Sequence, residues 1–255
     1  MAEAFSLLTA SYNNAKYLED WSQSILWQSY RPLEVIFVND CSTDNTIDSL
    51  RHYGNIFSQN NITLKIIDNS SRMYYAGALQ VAWSNAAGPF FGVLDSDDQL
   101  EKGAIEYVMD LYEKFPHIGY IYSQFAIYDQ NLKKWKGHGF SCGPKNEYES
   151  LLEVGMRKKH GFSHWRTFCT RVPRLHKIFR PGLRAAVDKY MGYRLEELAP
   201  GMFTDKVLYK YRGWVPGCIS LTEKPKEVWQ TVIKEAKNRR AKYSYKPFPV
   251  TIYKG

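Results

Sequence analysis

Asp95-Ser96-Asp97-Asp98 follows directly on the apolar run Phe90-Phe91-Gly92-Val93-Leu94. Carboxylates two residues apart at a strand end can converge on one hard divalent cation, and Mg²⁺ or Mn²⁺ held there bridges the oxygens of a diphosphate. The same residues could equally form an acidic turn capping a helix that starts near Glu101, because Asp is favourable at a helix N-terminus. Asp98 in particular reads as such a cap. A second polar loop, Asn39-Asp40-Cys41-Ser42-Thr43-Asp44, closes another apolar run. Asp40 can accept a hydrogen bond from the imide N–H of a pyrimidine or the amide edge of a purine, although turn chemistry alone also selects Asn, Asp and Ser in such loops. Asp44 reads as the N-cap of the following helix. Tyr12 offers a ring for stacking on a base, or is a half-buried aromatic at a sheet edge.

These loops can meet only if the elements before them line up. Residues 5–9 read as a buried strand, followed by a helix with Leu18, Trp21, Ile25 and Leu26 on one face. Further strands are expected at 33–38, 62–67 and 89–94, with helices at 46–57 and 76–87 between them. Such alternation implies right-handed crossovers and a mostly parallel, Rossmann-like α/β sheet with helices on both faces. In open parallel sheets the ligand sits outside the carboxyl ends of the strands. Ser11-Tyr12-Asn13-Asn14, the Asp40 loop, Asp68-Asn69-Ser70 and the Asp95 loop all fall there. After these come a helix at 101–115, a strand at 118–128, a turn and hairpin at 131–140, and a polar helix or loop at 145–159. A helix at 183–198 and a strand at 206–211 follow. An amphipathic helix opens the segment 225–255, with Val228, Trp229, Val232, Ile233 and Ala236 on one side and Lys226, Lys234, Lys237, Arg239 and Arg240 around it.

The chain has 255 residues, 44% hydrophobic and 24% charged, which excludes a disordered chain and a disulfide-stapled miniprotein. Lys and Arg outnumber Asp and Glu by 34 to 26, a net charge of +8 that suits phosphate-bearing partners or is simply a solvated basic surface. The N-terminal residues show no targeting pattern, and no run approaches the roughly 18 apolar residues of a membrane span. Cys41, Cys142, Cys169 and Cys218 are widely spread without a CxxC pair and read as reduced thiols of a cytoplasmic protein.

Four blocks together carry a family resemblance: Thr9-Ala10-Ser11-Tyr12-Asn13, Ser24-Ile25-Leu26-Trp27-Gln28-Ser29-Tyr30, the stretch from Glu34 to Asp44, and Leu94-Asp95-Ser96-Asp97-Asp98. In order, spacing and strand-end placement they resemble the inverting nucleotide-sugar glycosyltransferases of family 2, closely through residues 5–115 and more loosely to 222. The resemblance implies a GT-A fold and a nucleoside-diphosphate sugar as donor, a UDP-sugar foremost. Ala10, Tyr12 and Asp40 would surround the base, Asp95 would lie near ribose and metal, and Asp97 would be the principal ligand of Mn²⁺ or Mg²⁺. Phe162-Ser163-His164-Trp165-Arg166 and Leu183 to Tyr190 are similar to the bacterial chondroitin and hyaluronan-type polymerases, which implies Asp188 as the base and His164 and Arg166 as pocket or acceptor-side residues. Many relatives have Glu-Asp where this chain has Val187-Asp188. Near the diphosphate, where relatives often carry an Arg, only Arg72 is close. No His follows the late strand in Gly213-Trp214-Val215-Pro216, which implies a metal site that is weaker or completed by water and the donor. Arg212 or Lys210 is a candidate for phosphate charge, solvation being the plainer reading.

The expected function is transfer of a sugar to a hydroxyl of a saccharide or lipid-linked glycan, in polysaccharide, lipopolysaccharide or glycoconjugate synthesis. Residues 1–222 would form the transferase domain, with a nucleotide-sugar half at 1–98 and an acceptor half at 99–222, and 223–255 would form a helix and tail. The alternatives are a nucleotidyltransferase, which should show a Gly-rich basic phosphate loop after the first strand, and a non-catalytic nucleotide- or nucleic-acid-binding protein. Acidic strand-end loops would repel a nucleic-acid backbone, so nucleic acid is not an expected partner. A dehydrogenase would need the missing GxGxxG. The basic tail helix suits either peripheral contact with an anionic inner leaflet or ordinary packing on the domain.

Overall fold

Four strands rich in Val, Ile, Leu and Phe begin the fold: β1 (Phe5–Ser11), β2 (Leu33–Asn39), β3 (Ile62–Asp68) and β4 (Phe90–Val93). They pair in parallel in the order β3-β2-β1-β4 through the helical crossovers α1 (Leu18–Leu26), α2 (Thr46–Gln59) and α3 (Tyr74–Ser84). Every residue of β1 is buried, as strands covered by helices on both faces require. The computed structural model describes residues 2–146, 149–158, 161–213, 225–244 and 246–254.

The second half adds β5 (Gln99–Leu100), α4 (Ala104–Lys114), β6 (Tyr120–Tyr128), β7 (Trp135–His138), α5 (Leu151–Lys158), β8 (Arg166–Cys169), α6 (Val187–Glu196), β9 (Gly201–Arg212), α7 (Pro225–Lys242) and β10 (Val250–Tyr253). The sheet runs β10-β9-β6-β8-β4-β1-β2-β3, with β5 on β9 and β7 on β6. Only the short β5, β7 and β8 run against the others. The carboxyl ends of β1, β2, β4, β6 and β9 therefore open on one side. One core layer holds Trp21, Phe37, Phe57 and Tyr112, and the other holds Leu8, Ile36, Leu79, Phe168 and Met191.

Three helices start later or earlier than their apolar period implies, each for a local reason. The helix expected from 76 begins at Tyr74 because the Asp40 carboxylate accepts the N–H groups of Met73 and Tyr74 at 2.8 and 2.9 Å. The one expected from 101 begins at Ala104, since Gln99 and Leu100 pair with β9 and Gly103 turns at φ 72°. The one expected from 183 begins at Val187, after Ala186 at φ 55°. β8 was not expected at all. Four residues that begin with an arginine offer no alternation to read, yet they fill the gap between β4 and β6.

The tail completes the domain. β10 pairs in parallel with β9, and Val232 and Ala236 of α7 are fully buried in the layer shared with Met191 and Leu195. Val228 and Ile233 pack beside them, so the apolar side of α7 lies against the domain. Its arginines face a buried acidic pair: Arg240 meets Glu196 at 2.5 Å, and Arg239 meets Glu197 at 3.1 Å. The expected boundary at 222–223 and the end of the segment 145–159 lie outside the described residues.

Glu196 is 0% exposed, and its other carboxylate oxygen accepts the Leu151 N–H. Burial raises its pKa from 4.5 to about 7, with Arg240 opposing. The folded chain thus holds this proton more tightly than the unfolded one, so stability declines as pH rises from about 4.5 to about 7 and then levels off. Arg240→Met leaves a buried carboxylate without its cation and is expected to cost about 3 kcal/mol at pH 8, where Glu196 is ionised. At pH 5, where the carboxyl keeps its proton, the loss should be markedly smaller. Urea denaturation at the two pH values measures both, and equal losses would contradict the assignment.

Candidate active site

The loop after β4 is fastened from three directions. Leu94 N–H donates to Leu8 carbonyl at 3.1 Å, continuing the β1–β4 ladder one step, and Asp98 N–H closes a turn onto Asp95 carbonyl at 3.1 Å. Asn14, from the loop after β1, donates to the Ser96 hydroxyl at 2.8 Å. From β9, the Tyr209 hydroxyl accepts the Asp95 N–H at 3.2 Å and donates to the Asp98 carboxylate at 2.8 Å. Arg212 N–H reaches the other Asp98 oxygen at 2.6 Å.

Asp98 is therefore not the helix cap its position suggests. The helix begins six residues on, and the carboxylate is a buried bracket to β9. Burial, then the charges of Asp97 and Asp95, push its pKa well up. Arg212, a candidate for phosphate charge, is bonded within the protein. Its Nε holds the Asp97 carbonyl at 2.6 Å, its Nη2 the Asp20 carboxylate at 2.7 Å, and its Nη1 the Gln130 carbonyl. Lys210 stands 3.6 Å from Glu101.

Asp95 is matched inside the protein. Arg166, 2% exposed at the start of β8, sets its Nη2 3.2 Å from one Asp95 oxygen, and the Tyr75 hydroxyl of α3 donates to the other. Burial alone would lower the Arg166 pKa, but Tyr75, Asp95 and Tyr209 turn the net shift upward. His164 stacks on Tyr209 with ring centroids 4.7 Å apart, its Nδ1 lying 3.8 Å from Asp95. Burial and the Arg166 charge hold it neutral, well below its ordinary pKa.

Asp97 differs. It is half-buried, and among the described residues no other residue donates a hydrogen bond or ion pair to its carboxylate. Burial and the neighbouring Asp95 charge raise its pKa to about 6, against its own N–H and Arg212.

Asp188 occupies the first turn of α6, where a helix N-terminus favours an ionised carboxylate. Burial works against its charge, but Lys189 and Arg166 outweigh it and bring the pKa below the ordinary value. Lys189 Nζ stands 3.9 Å away. Asp95 and Asp188 both act electrostatically on Arg166 and Tyr75, Asp95 by direct contact.

At the β1 and β2 ends, Ala10 is buried and Tyr12 exposed. The guanidinium of Arg72 lies 3.4 Å from the Tyr12 ring centroid and donates from Nε to Asp40 at 3.1 Å. With Asn69, Met73 and Tyr74, Arg72 supplies four donors to the Asp40 carboxylate. Asp44 accepts from the Thr46 N–H and hydroxyl and from the Ala15 N–H, a capping role at the start of α2. Sequence reasoning missed Tyr75 and Tyr209. Each sits in an apolar stretch where a tyrosine reads as core, and only tertiary contact shows its hydroxyl turned to an aspartate.

The family model for glycosyl transferase family 2 matches residues 6–191. The chain is 28% identical over 208 residues to the chondroitin synthase of Escherichia coli, which covers 80% of this chain and 28% of that one. It spans about a third of the length of the curated relatives it matches. Its fold is similar to that of S. aureus TarS residues 1–349, solved in complex with UDP-GlcNAc, at a TM-score of 0.68 and 19% identity over 90% of this chain and 65% of that one. It is also similar to the mannosyltransferase PcManGT of Pyrobaculum calidifontis, solved with GDP-Man and Mn²⁺, at a TM-score of 0.56 and 13% identity over 93% and 69%. The mixed α/β sheet, the carboxylates at the β4 end and a family match over nearly three quarters of the residues lead to one conclusion: this chain belongs to glycosyl transferase family 2, with its GT-A fold.

Proposed function

We propose that the chain is a metal-dependent, inverting glycosyltransferase that moves a sugar from a nucleoside diphosphate, a UDP-sugar foremost, to a hydroxyl of a saccharide or lipid-linked glycan. The observation that carries this reading is the carboxylate loop fastened at the β4 end, with Asp95 paired to the buried Arg166 and Asp97 left open, in a chain that the family 2 model matches over residues 6–191. The chondroitin synthase relative and the UDP-GlcNAc held by TarS support a polysaccharide or glycoconjugate product and a uridine donor. The described residues hold no helix long and apolar enough to cross a membrane.

Asp97 suits a hard cation. It is a partly buried carboxylate, raised to about 6 by burial and Asp95, and no other described side chain pairs with it. Asp97 would hold Mg²⁺ or Mn²⁺ with Asp95 beside it. Since the described residues contain no ready cluster of three His, Cys, Asp or Glu, water and the donor would complete the coordination. Such a cation supplies Lewis-acid stabilisation of the charge that develops on the leaving diphosphate.

The rest falls to the chain. Tyr12 offers its ring to the base beside Ala10, and Arg72, which now covers that ring and shares Asp40, moves aside as the donor arrives. Asp188, kept ionised by Lys189 and Arg166, takes the proton of the acceptor hydroxyl at a carboxylate oxygen. Direct attack then inverts the sugar without a covalent enzyme intermediate. Arg166 and His164, both beside Asp95, would fix that carboxylate while the donor is bound.

Turnover across UDP-, GDP- and dTDP-sugars, with and without Mn²⁺, tests the assignment. One donor class should turn over, and no turnover of any donor by the intact chain would count against the enzyme reading. Asp97→Ala is expected to abolish Mn²⁺ binding by direct titration together with turnover. Asp188→Asn should lower kcat by about 10²- to 10⁴-fold while leaving the calorimetric donor Kd within about threefold. Full activity of Asp188→Asn would remove it as the base.

A further inference from the structure

Lys133, Lys134, Trp135 and Lys136 are four consecutive exposed residues where β6 turns back into β7. In a strand lying against a domain, alternate side chains are covered. Here successive ones are not, so the hairpin tip stands clear on both faces. Trp135 is 54% exposed, with the His138 ring at 5.5 Å as its edge-on neighbour. The ammonium groups of Lys133, Lys134 and Lys136 form no ion pair among the described residues. The turn's own acid, Asp129, closes it by accepting the N–H groups of Lys133 and Lys134 at 2.9 and 3.1 Å. The tip is therefore rigid at its base and positive at its end.

The tail helix, also basic, keeps exposed lysines but has no apolar side left to offer a membrane. Its apolar side is packed in the core, and Arg239 and Arg240 are paired with Glu197 and Glu196.

We propose that the tip of the β6–β7 hairpin is the surface by which this chain docks on an anionic lipid bilayer. Its composition is that of an interfacial anchor. Lysine ammonium groups near an anionic leaflet each strengthen binding by about fivefold, and an indole seats its flat apolar ring at headgroup level. Lysines are point charges suited to a diffuse field of headgroups, not to bidentate recognition of one phosphate. A saccharide would be bound in a concave site with converging polar groups, and a tip exposed on both faces offers none.

The hairpin's place relative to the site supports the same occupant. The Gln130 carbonyl at its base and the Asp97 carbonyl in the acidic loop are held by one guanidinium, that of Arg212. A bilayer touching the tip would thus lie at the lip of the proposed site, where the reducing end of a lipid-linked glycan meets the membrane. Docking itself needs no donor, acceptor or turnover, so its failure and that of the transferase reading are separable.

Flotation of the full chain with phosphatidylcholine vesicles, alone or with about one third phosphatidylglycerol, tests the proposal. Binding should need the anionic lipid and weaken in high salt. A variant carrying Lys133→Gln, Lys134→Gln, Trp135→Ser and Lys136→Gln should lose on the order of a hundredfold in vesicle affinity with its thermal midpoint unchanged. Lys226→Gln, Lys234→Gln and Lys237→Gln together, on the exposed side of α7, should bind as the parent does. Undiminished binding by the hairpin variant would overturn the proposal. So would a parent chain that ignores vesicles, or that binds a soluble anionic polysaccharide through these residues in their place.

Discussion

The Asp98 carboxylate takes the Tyr209 hydroxyl on one oxygen and the Arg212 N–H on the other, at 2.8 and 2.6 Å, inside the protein. Two bonds thereby join the loop after β4 to a strand more than a hundred residues later in the chain. Buried donors left without an acceptor cost about 1–3 kcal/mol each, so the bracket is a strong condition on where β9 can lie. The same strand also holds the loop by its backbone. The Tyr209 hydroxyl accepts the Asp95 N–H, and Arg212 takes the Asp97 carbonyl. Once β9 is seated on β6, little freedom remains in Asp95, Asp97 and Asp98.

That rigidity keeps like charges close, and the neighbours respond unequally. Asp95 is met by Arg166 and Tyr75, and Asp98 by Tyr209 and the Arg212 backbone. Asp97 receives no such partner among the described residues, and its pKa rises to about 6 under burial and the Asp95 charge. A cation is the natural complement of a carboxylate in that position, because it removes the repulsion that the fold otherwise imposes. Arg166 performs the equivalent service on the other side, pairing with Asp95 at 3.2 Å and helping to hold the Asp188 pKa down.

The parallel half was legible because its strands are runs of branched apolar residues and its helices keep a clean period. Leu18, Trp21 and Ile25 fell on one buried face as their spacing required. The carboxylates at the β4 end were legible as a group, but their separate duties were not. Asp95, Asp97 and Asp98 look alike in sequence and differ only in what reaches them from β8 and β9. β8 itself was unreadable for the same reason. Arg166 spoils the pattern of a core strand locally, and its burial makes sense only beside Asp95. The starts of α3, α4 and α6 were set by a carboxylate from the loop after β2, a strand pairing with β9 and a left-handed alanine, none of which leaves a mark in periodicity.

Part of the positive charge of the chain sorts by chemistry. Arg166, Arg212 and Arg240 go inside, where a planar, weakly hydrated guanidinium can satisfy several acceptors at once. Lys133, Lys134 and Lys136 stay outside, where a strongly hydrated ammonium costs nothing to keep. Arg212 joins the two populations. Its three nitrogens hold α1 through Asp20, the hairpin through Gln130 and the acidic loop through Asp97. The basic tip and the acidic site are thus opposite ends of one fastened unit. A net charge of +8 can coexist with a site built of aspartates because the two signs are held apart by a side chain that bonds to both ends.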